Sequence, residues 1–114
     1  MFAKELNAAK EVAYQAGELL QQLAGKAFTV KHKGPVDLVT EADLKAETFI
    51  VNELKKRFPS DEILTEEAGG KSKAERLWII DPLDGTTNYA HRFPIYAVSI
   101  GLLVAEEIKL GVVY

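Results

Sequence analysis

Trp78-Ile79-Ile80-Asp81-Pro82-Leu83-Asp84-Gly85-Thr86-Thr87-Asn88 is the stretch that decides how this chain is read. Leu77 to Ile80 is a short, fully apolar run, which predicts a buried strand. The strand delivers Asp81 to its end, where Pro82 is expected to turn the backbone. Asp84 follows three residues later, and Gly85-Thr86-Thr87 reads as the opening of a short helix or turn. Two carboxylates held that close repel unless a cation sits between them, and Mg²⁺, which prefers hard oxygen ligands, suits the pair. The kinked backbone is expected to aim a carbonyl, that of Leu83, at the same ion. The N–H groups of Gly85 and Thr86 would offer an anion cradle at a helix start. Adjacent cation and anion sites are what phosphoryl chemistry requires. The bland alternative is an ordinary turn after a strand, because Asp, Pro and Gly favour turns for reasons unrelated to chemistry.

Other candidates have their own plain readings. Glu66-Glu67 follow the β-prone Ile63-Leu64; if that strand neighbours Leu77–Asp81, a glutamate reaches the same edge, and otherwise the two are solvated loop charges. Asp43 reads equally as a helix N-terminal charge, and Thr86 as an N-cap. Lys31, His32 and Lys33 are a solvated loop able to attract phosphate. His91 and Arg92 are best taken as structural contacts.

Working outward, Ala3 to Ala24 lacks proline and places Leu6, Ala9, Val12, Ala13, Ala16, Leu19, Leu20 and Leu23 on one helical face, with Gly25 as the stop. Phe28 to Val30 is a short β-prone piece. A second helix is expected to begin near Thr40, capped by Thr40 with Asp43 at the capping-box distance, and to bury Leu44, Ile50, Val51, Leu54 and Phe58 before Pro59. Glu66 to Arg76 reads as loop. Pro94 to Val104, a turn at Ala105-Glu106-Glu107, and alternating Ile108, Leu110, Val112 and Tyr114 predict an antiparallel hairpin. Helices followed by strands imply an α+β fold. Ending on an apolar strand, with its edge unprotected, suggests a fragment.

The 114 residues suit one domain, with 47% hydrophobic and 27% charged residues. A net charge of −3 argues against nucleic acid or anionic membrane as main partner. The absence of cysteine excludes disulfides and thiolate metal sites. Charges at Lys4, Glu5, Lys10, Glu11 and Glu18 break up the N-terminal segment, which therefore cannot serve as a signal peptide or membrane span. Cytoplasm is the expected compartment.

Residues 78–88 closely resemble the signature of the inositol monophosphatase family. His91 to Pro94, Ala97 to Gly101, Pro35 to Asp43 and the Glu66-Glu67 pair resemble it in order and spacing. The resemblance covers nearly the whole chain and implies the N-terminal half of a layered α-β-α-β-α sugar phosphatase fold, two helices packed on a largely antiparallel sheet. It implies that residues 1–114 form a single metal- and phosphate-binding portion whose C-terminal complement is absent. It further implies two or three Mg²⁺ ions. Glu66, Asp81 and the Leu83 carbonyl would hold the first, Asp81 and Asp84 the second, and Glu66 a looser third. Gly85 and Thr86, beside Asp84, would bind phosphate. Thr86, oriented by Asp43, would help position and deprotonate the attacking water for in-line hydrolysis of a phosphate monoester. The resemblance also implies a small phosphorylated polyol substrate such as myo-inositol monophosphate, lithium sensitivity and a possible homodimer.

Thr65 stands where the family often has glycine. A further metal-binding aspartate and most contacts to the alcohol lie in the part this chain lacks, so the fragment alone is expected to be poorly active. A haloacid-dehalogenase-type phosphatase fits worse, because two residues rather than one separate the aspartates. A sugar-bisphosphate or nucleotide 3'-phosphatase, or a non-catalytic truncated or regulatory product, are the alternatives.

Overall fold

The computed structural model describes residues 1–26, 35–65, 74–90 and 95–114. Three helices and four strands follow in the order α1 (Ala3–Lys26), α2 (Pro35–Arg57), β1 (Glu62–Thr65), β2 (Arg76–Asp84), α3 (Thr86–Ala90), β3 (Ala97–Val104) and β4 (Glu107–Val113). The sheet order is β1-β2-β3-β4. β1 runs parallel to β2, and the other two pairings are antiparallel. The fold is therefore α+β with a mixed, largely antiparallel sheet, as the sequence predicts.

The helices α1 and α2 pack together on one face of the sheet, α1 over β3 and β4 and α2 over β2. Alternation in the strands supplies the inner face: Trp78 and Ile80, then Val98, Ile100 and Leu102, then Leu110, all buried. From α1, Ala9, Val12, Ala13, Ala16 and Leu20 are fully buried, the predicted stripe. The helix runs past Gly25 to Lys26. Phe58, just after α2, stacks on Trp78 with ring centroids 5.4 Å apart.

α2 departs from expectation at its start. It begins at Pro35, not Thr40. Proline at the first helical position gives up an N–H that would have had no partner, and its fixed φ suits the helix. Thr40 therefore lies within the helix and not at its start. The buried stripe is Ala42, Ala46, Ile50 and Leu54, spaced by four, whereas Leu44 is 51% exposed. Small alanines bring α2 close to its neighbours, and the hydrophobicity of Leu44 alone does not decide which side faces in.

Two β-bulges set which residues face out. At the first, Asp81 pairs with Ser99 and Asp84 with Ala97, so three steps on β2 match two on β3. Pro82 thus lies within a bulged strand that continues to Asp84; the chain does not leave the sheet at Pro82. Proline has no N–H to donate to the ladder, and a bulge is one of the few sheet positions that accommodates it. At the second, Leu102 pairs with Leu110 and Leu103 with Ile108, leaving Lys109 as the extra residue. The parity change puts Ile108 on the outer face with Leu103, so it is 76% exposed instead of alternating inward with Leu110. Tyr114 is half-exposed, its ring 5.1 Å from that of Tyr14. The hairpin turn holds Ala105 and Glu106 at φ 52° and 66°.

Candidate active site

The first bulge decides the geometry of the site. In a regular strand, residues three apart point to opposite faces. Asp81 and Asp84 escape that rule, because their partners Ser99 and Ala97 are two apart and share a face. Both aspartates therefore lie on the face of the sheet turned away from α1 and α2. Asp81 is half-buried and Asp84 exposed. The Leu83 N–H donates to Asp81 Oδ1 at 3.3 Å, and the Leu83 side chain is buried in the core. That pairing fixes the peptide between the two carboxylates. Parallel pairing brings β1 to the same end of the sheet: Thr65 sits opposite Ile80, one step before Asp81. Glu66 and Glu67 lie outside the described residues, as do Phe28 to Val30, Lys31, His32, Lys33, His91 and Arg92.

Gly85 links β2 to α3 with φ +90°, a conformation open to glycine but costly for any residue with a Cβ. A Cβ there would also lie 3.1 Å from the Ile95 carbonyl oxygen and 3.3 Å from the Tyr96 Cα. The Gly85 carbonyl accepts from the Tyr89 N–H at 3.0 Å and closes the first turn of α3. Thr86 opens that helix and is exposed. The short helix expected at Gly85-Thr86-Thr87 is present. α3 packs against α2, the helix that carries Asp43. Asp43 is buried, 9% exposed.

Sequence reasoning missed two residues. Tyr89 is buried, and its hydroxyl donates to the Leu20 carbonyl on α1 at 2.8 Å. Burial, with a smaller contribution from nearby Tyr96, pushes its phenol up to about 12. Its only sequence signal is an aromatic four residues after Gly85, the spacing at which a helix turns inward. At the far end of β2, Asp61 accepts from Arg76 Nε and Nη2 and from Trp78 Nε1 at 2.8, 3.1 and 3.0 Å. Arg76 Nη2 also donates to Glu5 at 3.0 Å. These carboxylates raise the Arg76 pKa further, with Asp61 the larger influence. Nothing in the sequence flags Asp61, a lone acid in the turn before β1.

Two carboxylate side chains brought to one face by a bulge, followed at once by a glycine-initiated helical turn, mark the end of β2 in an α+β protein with a mixed sheet. Comparison narrows the class. The profile of the Inositol monophosphatase family matches residues 3–114, and the chain belongs to that family. It is 49% identical over 114 residues to inositol monophosphatase 3 of Solanum lycopersicum, covering 96% of this chain and 42% of that protein. It resembles the inositol monophosphatase of Anabaena (Nostoc) sp. PCC 7120, with a TM-score of 0.78 and 40% identity over 97% of this chain and 37% of that one. Inositol monophosphatase-II of Staphylococcus aureus MSSA476 superposes with a TM-score of 0.86 at 31% identity, over 97% and 41% of the two chains. The chain spans about two fifths of the length of these relatives. Among the described residues, no helix is long and apolar enough to cross a membrane.

Proposed function

We propose that this chain supplies the metal- and phosphate-binding half of an Mg²⁺-dependent phosphate monoesterase acting on a myo-inositol monophosphate or a close phosphorylated polyol. The observation that carries the reading is the bulge that sets Asp81 and Asp84 on one face despite their odd spacing. The donor set suits a hard divalent cation, being carboxylate and carbonyl oxygen without sulfur. Asp81, Asp84 and the Leu83 carbonyl, with Glu66, are the groups that would hold two or three such ions. When bound, they supply charge neutralisation at the phosphoryl oxygens and lower the pKa of water. Gly85 and Thr86 hold the phosphate through their N–H groups. The Thr86 hydroxyl aligns the attacking water, and Asp43, on the helix against which α3 packs, orients Thr86 and helps take the proton. Attack in line with the ester oxygen forms the new P–O bond as the old one breaks, without a phosphoenzyme.

The substrate class is supported by relatives. SaIMPase-II has been solved with inositol monophosphate bound, and separately with 2'AMP bound. The second structure keeps a nucleotide phosphate in view as an alternative substrate. The 114-residue chain alone is proposed to turn over poorly, since it spans about two fifths of the length of its relatives and a further metal-binding aspartate and the polyol contacts are proposed to lie in the remainder. We assign the whole protein to the cytoplasm, with a homodimer as its proposed assembly.

The test is phosphate release from myo-inositol 1-phosphate by the full-length protein, with and without Mg²⁺. Asp84→Asn should cut turnover by about two to three orders of magnitude, the several kcal/mol that a lost cation-holding carboxylate represents, with unchanged circular dichroism. Full activity of the variant, or Mg²⁺-independent turnover, would refute the assignment.

A further inference from the structure

Among the described residues, three features stand out beyond the carboxylate pair: the Asp61 cluster, the open and largely apolar groove between α1 and α2 beside Leu44 and Phe49, and the buried hydroxyl of Tyr89. The first is remote from the site, and nothing on the groove identifies an occupant. The third leads directly to the site.

α3 has five residues, too few to hold itself together as a helix. Its placement must come from outside. One side is held by residues 95 and 96: Asn88 Nδ2 donates to the Ile95 carbonyl at 2.8 Å, and the Tyr89 ring meets Tyr96 edge-on, with centroids 4.9 Å apart at 84°. The same Ile95 carbonyl and Tyr96 Cα form the wall against Gly85. The other side is held through Tyr89, whose N–H closes the turn on the Gly85 carbonyl and whose hydroxyl reaches the Leu20 carbonyl in the body of α1. One residue thus joins the Gly85 turn to the longest helix of the fold.

We propose that Tyr89 is a positioning residue for the phosphate-holding turn: its hydroxyl anchors α3 to α1 and so fixes where Gly85 and Thr86 present their N–H groups and hydroxyl. This inference rests on the phosphatase reading above. Tyr89→Phe is the informative change, because it keeps the ring and its contact with Tyr96, removes only the donor, and strands no buried donor in exchange.

The experiment compares wild type, Tyr89→Phe and, as a stability control remote from the site, Asp61→Asn, all in the full-length protein. Hydrogen exchange by mass spectrometry reads the tie directly. In Tyr89→Phe the Tyr89 and Ala90 amides should exchange about fivefold faster, the loosening that one lost neutral hydrogen bond allows, while the α1 and β3 peptides keep their wild-type rates. Steady-state phosphate release should show a severalfold rise in KM and in the inhibition constant for inorganic phosphate. Asp61→Asn should lower thermal stability yet leave KM unchanged. Wild-type exchange at residues 89–90 in Tyr89→Phe would overturn the proposal. So would a KM shift no larger than that of Asp61→Asn. Inactivity of the wild-type protein on every monoester tried would instead sink the phosphatase reading, and the exchange comparison would still decide whether the tie exists.

Discussion

Removing the Asp61 carboxylate should be among the most damaging single changes available outside the site. Asp61 is 6% exposed at its side chain and accepts three hydrogen bonds, two from the Arg76 fork and one from Trp78 Nε1. Bonds to a charged group contribute roughly 1.5–3 kcal/mol each. The Arg76 side chain is 31% exposed and keeps Glu5 as a second partner, so water and Glu5 recover part of its loss. Trp78 has no such relief. Its ring is fully buried, and an indole N–H left without an acceptor costs about 1–3 kcal/mol. Together these give about 3 kcal/mol for Asp61→Ala, and about half that for Asp61→Asn, which keeps one acceptor. Equilibrium urea unfolding reads the difference as a fall of about 1 M or more in the midpoint at unchanged slope. A cycle with Arg76→Met should return a coupling of about 1–2 kcal/mol. An Asp61→Ala cost below about 0.5 kcal/mol, the range of an ordinary surface change, would refute the reasoning, as would zero coupling.

Gly85→Ala should lower the thermal midpoint by roughly 6–12 °C, because a Cβ at φ +90° meets two backbone atoms that cannot rotate away; an unchanged melting curve would contradict this. The double change Ala105→Asn, Glu106→Gly should stabilise the hairpin by about 1 kcal/mol in chemical denaturation, since both positions have positive φ, which Asn-Gly adopts far more readily. Tyr89, raised to about 12 in the fold, should make stability fall between about pH 10 and pH 12. In that window the unfolded phenol releases its proton while the folded one keeps it, which favours unfolding with rising pH by about 2–3 kcal/mol in all. Below pH 10 the contribution is fully present. Alkaline urea titrations of Tyr89→Phe should show a shallower slope, what remains coming from Tyr14 and Tyr96, which are also raised, and an identical slope in the variant would disprove the attribution.

Much was legible in the chain itself. The periodicity of Leu6 to Leu23 marked the inner face of α1, and the apolar run before Asp81 marked β2, because local spacing maps directly onto helical and strand geometry. The glycine-initiated turn from β2 into α3 was also readable, since Gly85 marks it in the residue types; the roles proposed for Asp81, Asp84, Gly85 and Thr86 rest on residue chemistry. Family membership followed from the same residues.

Tertiary structure decided what depends on partners distant in sequence. That Asp81 and Asp84 share a face follows from their pairing with Ser99 and Ala97, and a bulge is a property of two strands together. The same holds for Ile108, turned outward by the extra residue at Lys109. Leu44 was misplaced because which face of α2 is buried depends on the elements it meets, and those elements accept Ala42 and Ala46 at close range. Asp61 with Arg76 and Tyr89 with Leu20 are separated by 15 and 69 positions along the chain. Spacing within one segment carries no information about a hydrogen bond that only the folded packing brings into reach.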